Sequence, residues 1–170
     1  FAKGVTSGYF PLGGAVSTRR ISSVFNGDPS NAWSHMYTYS CHPGGAAAGL
    51  KNLEIVEREN LVLNAKERGK QLFERLSEIK DKHRIVGDNR GIGLIQGLEL
   101  VKDRDTKEHF DPSLQINRIL TLKLKERGIW IRVPAFIVPV APPLITTKDQ
   151  IDHICTAIDE SIDELEKELT

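Results

Sequence analysis

The sequence predicts an α/β fold, on three observations. Residues 1–42 are rich in Gly, Ser and aromatics and lack helical periodicity, so they read as loops and short strands belonging to a larger sheet. From residue 60 onward, charged segments with apolar residues at helical spacing alternate with short apolar runs, the texture of an α+β unit with helices over a small sheet. Helix-start signals at Asp111-Pro112 and at Thr147 with Gln150 divide that second part.

Taken in order, Lys3 stands in a glycine-bordered stretch that runs through Tyr9-Phe10-Pro11-Leu12-Gly13-Gly14 into a strand-like segment, Ala15 to Ser17. From Pro43, Gly44-Gly45-Ala46-Ala47-Ala48-Gly49 leads into Leu50, Leu53 and Val56, a helix whose small residues allow close packing. A second helix follows Asn60, with Leu61, Ala65, Gly69, Leu72, Phe73, Leu76 and Ile79 at helical spacing. Asn89-Arg90-Gly91 punctuates the chain before Ile92 to Val101, which reads as one buried strand with Gly93 and Gly97 marking close backbone approach.

Asp111 and Pro112 supply an N-cap and first-turn proline for a helix over roughly 113–127, ended by Gly128. Ile129 to Arg132 and Phe136 to Val138 look like two short strands. The last helix opens on a Thr147–Gln150 capping box and carries one apolar stripe of Ile151, Ile154, Ile158, Ile162, Leu165 and Leu169.

Composition narrows the function classes. Lys plus Arg and Asp plus Glu both total 23, so there is no net field to draw nucleic acid or an anionic membrane. The most apolar stretch, 129–145, is broken by Arg132 and four prolines and does not read as a membrane span. Cys41 and Cys155 form neither a metal motif nor a disulfide framework, which suits a reducing, cytoplasmic compartment. No metal site is expected, because His35 and His42 have no further ligand at the right spacing. The chain opens on Phe-Ala-Lys without an initiator Met, and reads as the C-terminal portion of something longer.

Three positions could carry chemistry. Lys3, framed by small residues that let a flat ligand approach, is either a Schiff-base lysine or a solvated surface lysine. The run His35 to Pro43, ending at a helix start, offers hydroxyls and amides to a phosphate, or is a capping segment with aromatics in the core. Arg132, between apolar residues, either binds a carboxylate with its planar fork or pairs with a nearby Glu as an edge-strand arginine. Arg90 reads as a turn residue, and the two cysteines as packing residues.

These segments together resemble the class III aminotransferases, the ω-aminotransferase group of fold-type-I pyridoxal-phosphate enzymes. The resemblance rests on Phe1 to Gly13, Tyr37-Thr38-Tyr39-Ser40-Cys41-His42-Pro43, Arg90 to Leu100, Ile131-Arg132 and Ala141-Pro142-Pro143-Leu144, in family order along the whole chain. It implies that Lys3 is the lysine bound covalently to pyridoxal 5'-phosphate and also the proton shuttle. It further implies that Thr38 binds the cofactor phosphate of a neighbouring subunit, so that a homodimer shares its active sites, and that Arg132 takes the substrate carboxylate. Residues 1–42 would then end the large cofactor domain, 43–59 form a connecting helix, and 60–170 form the small C-terminal α+β domain.

The activity implied is transamination from an ω-amino acid or amine to a keto acid such as pyruvate. The alternatives are a mutase or decarboxylase of the same family, or a folded C-terminal module without catalysis. Two departures stand out. Cys41 occupies a position where the family usually has Gly. The family's phosphate loop and the aspartate that pairs with the pyridine nitrogen lie outside this sequence, so the chain by itself is expected to be inactive.

Overall fold

A computed structural model describes residues 1–35 and 37–169. Met36, within the His35–Pro43 run, lies outside them. The chain divides into two compact units, 1–59 and 60–170.

The first unit is mostly loop. A 3-10 turn spans Lys3–Thr6, followed by the one-turn helix α1 (Arg19–Ser22), 3-10 turns at Ser23–Phe25 and Pro29–Asn31, and helix α2 (Pro43–Arg58). The short strands expected before residue 42 are absent among the described residues: 15–17 runs with Val16 fully in solvent and no partner for its backbone. The small-residue face of α2 behaves as expected. A Cβ at Gly45 would come within 3.1 Å of Phe10 Cδ1, and one at Gly49 within 2.9 Å of Leu12 Cδ2, so the glycines let the loop after Lys3 lie against the helix.

The second unit holds helix α3 (Leu61–Lys82), strands β1 (Val86–Ile92) and β2 (Ile95–Leu100), helix α4 (Ile116–Glu126), strand β3 (Ile137–Val140) and helix α5 (Lys148–Glu168). The sheet is antiparallel in the order β1-β2-β3. One sheet face presents Val86, Leu98, Leu100, Val138 and Val140 to the helices, which contribute Leu72, Leu76, Leu120, Leu124, Ile151, Ile158, Ile162 and Leu165 to a single core. Burial of this many large aliphatics dominates the stability of the unit. The stripe of α5 is as predicted, and so is its capping box: Gln150 N–H donates to Thr147 Oγ1, and Thr147 N–H donates to Gln150 Oε1.

Four expectations fail. The run Ile92–Val101 is not one strand but a hairpin, turning at Gly93 with φ of 53°. Gly69 of α3 sits so close to Gly93 that a Cβ there would be 2.4 Å from its backbone. Asn89-Arg90-Gly91 is no break but part of β1, with Arg90 opposite Gly97 and ion-paired to Asp88 and Glu99. The helix expected over 113–127 is split: Asp111 caps a 3-10 turn (Pro112–Leu114), Gln115 turns left-handed at φ 47°, and α4 starts only at Ile116. Gly128, at φ 77°, follows the helix end as expected. Residues 129–132 form no strand, and β3 begins at Ile137 rather than Phe136.

Candidate functional site

Lys3 lies at the start of the first 3-10 turn and is exposed, in a left-handed backbone conformation with φ of 53°. The turn is held from below by Thr6, the one buried polar side chain in the unit's described residues. Its hydroxyl donates to Phe10 O at 2.5 Å and accepts from Phe10 N–H, folding 6–10 into a tight loop. The start of the chain is clasped to Gly14 in both directions, Phe1 N to Gly14 O and Gly14 N to Phe1 O.

Lys3 lines a cavity of about 720 Å³. Gly8, Phe10, Pro11, Leu12 and Gly13 make one wall, and Tyr37, Tyr39, Ser40, Cys41 and His42 make the other. The Lys3 ammonium has no hydrogen-bond or ion-pair partner among the described residues. The second wall is a turn, with Ser40 N–H donating to Tyr37 O and Tyr37 N–H donating to Ser40 Oγ. Cys41 sits in it at φ 61°.

His42 has a role the residue pattern alone did not single out. Its Nδ1 accepts from Gly44 N–H at 3.1 Å, capping α2, and its ring lies 4.8 Å from that of Phe10. One of the amides expected to face a phosphate is therefore already taken. A His just before Pro-Gly-Gly at a helix start was the available signal.

Thr38 is exposed and does not line the Lys3 cavity, although its neighbours Tyr37 and Tyr39 do. Arg132 belongs to the second unit. It is exposed, pairs with no carboxylate among the described residues, and lines a cavity of about 480 Å³ with Trp130, Ile131, Pro139, Pro142 and Ile154. The edge-strand ion pair considered from sequence is therefore not formed. Lys125 lies 5.1 Å over the ring of the neighbouring Trp130.

Other titratable groups behave structurally. Hydrogen bonds from Arg90 and then His109 hold Glu99 below its usual range. Burial pushes the Cys155 thiol up to about 12, so it stays protonated and packs as an apolar group. Among the described residues no His, Cys, Asp and Glu cluster could hold a metal, and no helix is long and apolar enough to cross a membrane.

The model of the class-III aminotransferases matches residues 1–162. The chain belongs to this family. A diaminobutyrate–2-oxoglutarate transaminase of Halomonas elongata is 38% identical over 99% of this class-III chain, which covers 37% of that relative. A taurine–pyruvate aminotransferase of Bilophila wadsworthia is 36% identical over 98% of the chain and 38% of its own length. An amine transaminase from an uncultivated Pseudomonas species, solved in its PLP-bound internal aldimine form, superposes with a TM-score of 0.91 at 34% identity, over 96% of this chain and 37% of that one. The chain therefore has the fold of the corresponding part of pyridoxal-phosphate transaminases, and spans somewhat over a third of these relatives.

The residues present fit the cofactor of class-III aminotransferases. Pyridoxal phosphate needs an amine free of competing ion pairs, room for a flat ring, and apolar walls that keep water away. The Lys3 cavity offers an unpaired amine, lies within the common size range of ligand pockets (~300–1,000 Å³), and is walled by Phe10, Pro11 and Leu12.

Proposed function

We propose that this chain supplies the lysine, a phosphate-binding hydroxyl and a carboxylate-binding arginine to a pyridoxal-phosphate-dependent transaminase that moves an amino group from an ω-amino acid or amine to a keto acid such as pyruvate. The observation that carries the reading is Lys3, an unpaired amine at the mouth of a glycine-bordered cavity in a class-III chain. The named relatives, among them the taurine–pyruvate enzyme, point to the substrate class.

When bound, pyridoxal phosphate supplies an electron sink for the carbanion next to the transferred nitrogen. Lys3 would hold it covalently through Nζ. The same Nζ would be the group that takes the proton from the substrate carbon and returns it in the course of the transfer. The Phe10-Pro11-Leu12 wall would exclude water from this proton. Arg132 would fix the carboxylate of the acceptor, its fork having no ion-pair partner among the described residues. A substrate without a carboxylate would leave it in solvent.

Thr38, exposed and outside its own chain's Lys3 cavity, suits a role toward the cofactor of a second subunit. The first unit also leaves Tyr9, Trp33, Tyr37 and Tyr39 largely exposed, at 88%, 68%, 71% and 82%, as expected of a surface that further protein covers in a homodimer. In this reading residues 1–42 close the large cofactor domain, 43–59 connect, and 60–170 are the small domain, acting in the cytoplasm.

Borohydride reduction of the complete protein with pyridoxal phosphate, followed by peptide mass mapping, tests the assignment. A phosphopyridoxyl adduct on Lys3, lost in Lys3→Ala, is the expected result. An adduct on a different lysine would overturn it. Transfer of nitrogen from an amine to pyruvate separates a transaminase from a mutase or decarboxylase.

A further inference from the structure

We infer that Asn52, half-buried on the face of α2 that carries Gly45 and Gly49, is a positioning residue for Lys3. This inference rests on the reading of Lys3 as the cofactor lysine. Lys3 and Ser7 bracket the 3-10 turn, and both sit in left-handed backbone at φ 53° without being glycine. Such residues cost on the order of 1–3 kcal/mol each and persist only where the surroundings fix them. The turn's own ladder is a single short one, opening with Val5 N–H to Ala2 O at 3.3 Å and closing with Ser7 N–H to Gly4 O at 2.9 Å.

Asn52 adds a constraint from outside the turn. Its Nδ2 donates to Gly4 O at 3.2 Å and to Val5 O at 3.1 Å, across nearly fifty residues of sequence. Gly4 O is the carbonyl next after Lys3 in the chain. It accepts from both Ser7 N–H and Asn52, so both its lone pairs are used. Asn52 is thereby tied to the backbone on which the Lys3 side chain pivots, and does not line the Lys3 cavity itself. The helix face that carries Gly45 and Gly49, one and two turns earlier, lies against the same loop, with Val5 O at an ordinary contact distance of 3.8 Å from where a Gly49 Cβ would stand.

A side chain held this way acts on the angle at which Nζ meets its target. Misplacement of a reacting group by about 1 Å can cost on the order of a hundredfold in rate. Asn52 therefore acts on kcat through Lys3 and makes no contribution to binding of the amino donor.

The test compares Asn52→Leu, of similar size but with no donor, with Asn52→Gln, which keeps the amide, in the complete protein reconstituted with pyridoxal phosphate. Lys51→Ala, one residue away in an exposed ion pair with Glu54, serves as the control. Expected for Asn52→Leu are a kcat lower by about tenfold to a hundredfold, a donor KM within about twofold, and a displaced pH profile of kcat. Hydrogen exchange at the Ser7 amide of the cofactor-free protein should accelerate by about tenfold. Asn52→Gln should recover most of kcat and the original pH profile. If borohydride marks Lys3 while Asn52→Leu keeps kcat, pH profile and Ser7 exchange, the role of Asn52 is overturned and that of Lys3 stands. A fall in kcat that Asn52→Gln does not recover, with the pH profile unmoved, overturns it as well. If borohydride fails to mark Lys3 in the unsubstituted protein, both assignments fall.

Discussion

Replacing Gly69 with Ala separates tertiary packing from helix propensity in one experiment. Gly69 lies inside the 22-residue helix α3, where Ala is favoured over Gly by about 1 kcal/mol. Propensity alone therefore predicts a more stable protein. The structure predicts the opposite. A Cβ at Gly69 would stand 2.4 Å from the carbonyl carbon and Cα of Gly93 and 2.5 Å from its oxygen. Carbon atoms in good contact are about 3.5–4.0 Å apart, so helix and hairpin must separate by more than about 1 Å. Neither side can yield cheaply, because the obstacle is backbone in a tight turn and not the end of a side chain. Overpacking of this kind costs up to about 3 kcal/mol. Set against the propensity gain, the net effect is a loss of about 2 kcal/mol.

Gly49→Ala is the internal contrast. Its nearest obstacle is Leu12 Cδ2 at 2.9 Å, a methyl that a χ rotation moves aside, so the propensity gain survives there. For a chain of this length about 1 kcal/mol corresponds to ~2–4 °C in Tm. Thermal unfolding followed by circular dichroism should therefore show Gly69→Ala lower by about 4–8 °C and Gly49→Ala unchanged or slightly higher. Equal or raised Tm for Gly69→Ala would refute the claim that the Gly69–Gly93 approach fixes how α3 meets the hairpin.

Three further outcomes are expected. Arg132→Gln should raise the KM for pyruvate by about tenfold to a hundredfold, the worth of one or two charged hydrogen bonds (~1.5–3 kcal/mol); the KM for an amine donor without a carboxylate should stay within about twofold, and equal effects on both in steady-state assays would refute its role. Cys41→Gly should stabilise the first unit by up to about 1 kcal/mol, since left-handed backbone costs a Cys about 1–2 kcal/mol and the gain in unfolded-chain freedom offsets part of it; a lower Tm would count against it. On acidification the second unit should lose stability below pH ~4. Burial pulls Asp159 up, but hydrogen bonds from Lys82 and the buried His83 outweigh it and leave its carboxyl below the ordinary value. A depressed carboxylate stabilises the fold above its unfolded pKa and ceases to as pH falls through its folded one, so an acid titration of Asp159→Asn by circular dichroism should show a shallower decline than the unsubstituted chain.

What could be read from the residues was set by the range of the forces involved. The α5 stripe is marked by a local three- and four-residue spacing and the Thr147–Gln150 box closes within three residues, and both appear as expected. The hairpin at Gly93 is not legible locally, because the backbone that packs against it, at Gly69, lies in helix α3. An unbroken run of apolar and glycine residues does not say where a strand turns back. The split at Gln115 was missed for a related reason: nothing in its composition marks a non-glycine residue that takes left-handed backbone. The arginine at position 90 looked like turn punctuation because its partners Asp88 and Glu99 meet it only once the strands pair.

At the candidate site the same division holds, and it says where the chemistry is written. The side chain that would react, Lys3, and the glycines around it are contiguous, so the segment is legible without its fold. The groups that hold that segment in a strained shape are not contiguous: Thr6 acts through a loop, and Asn52 from a helix some fifty residues on. A short motif can therefore name the reacting amine while saying nothing about its orientation. In this chain the left-handed backbone of Lys3 is the link between the two, because a conformation that costs energy locally must be maintained by contacts from elsewhere. Those contacts, more than the lysine, are where a single substitution would change rate without changing what the site can bind.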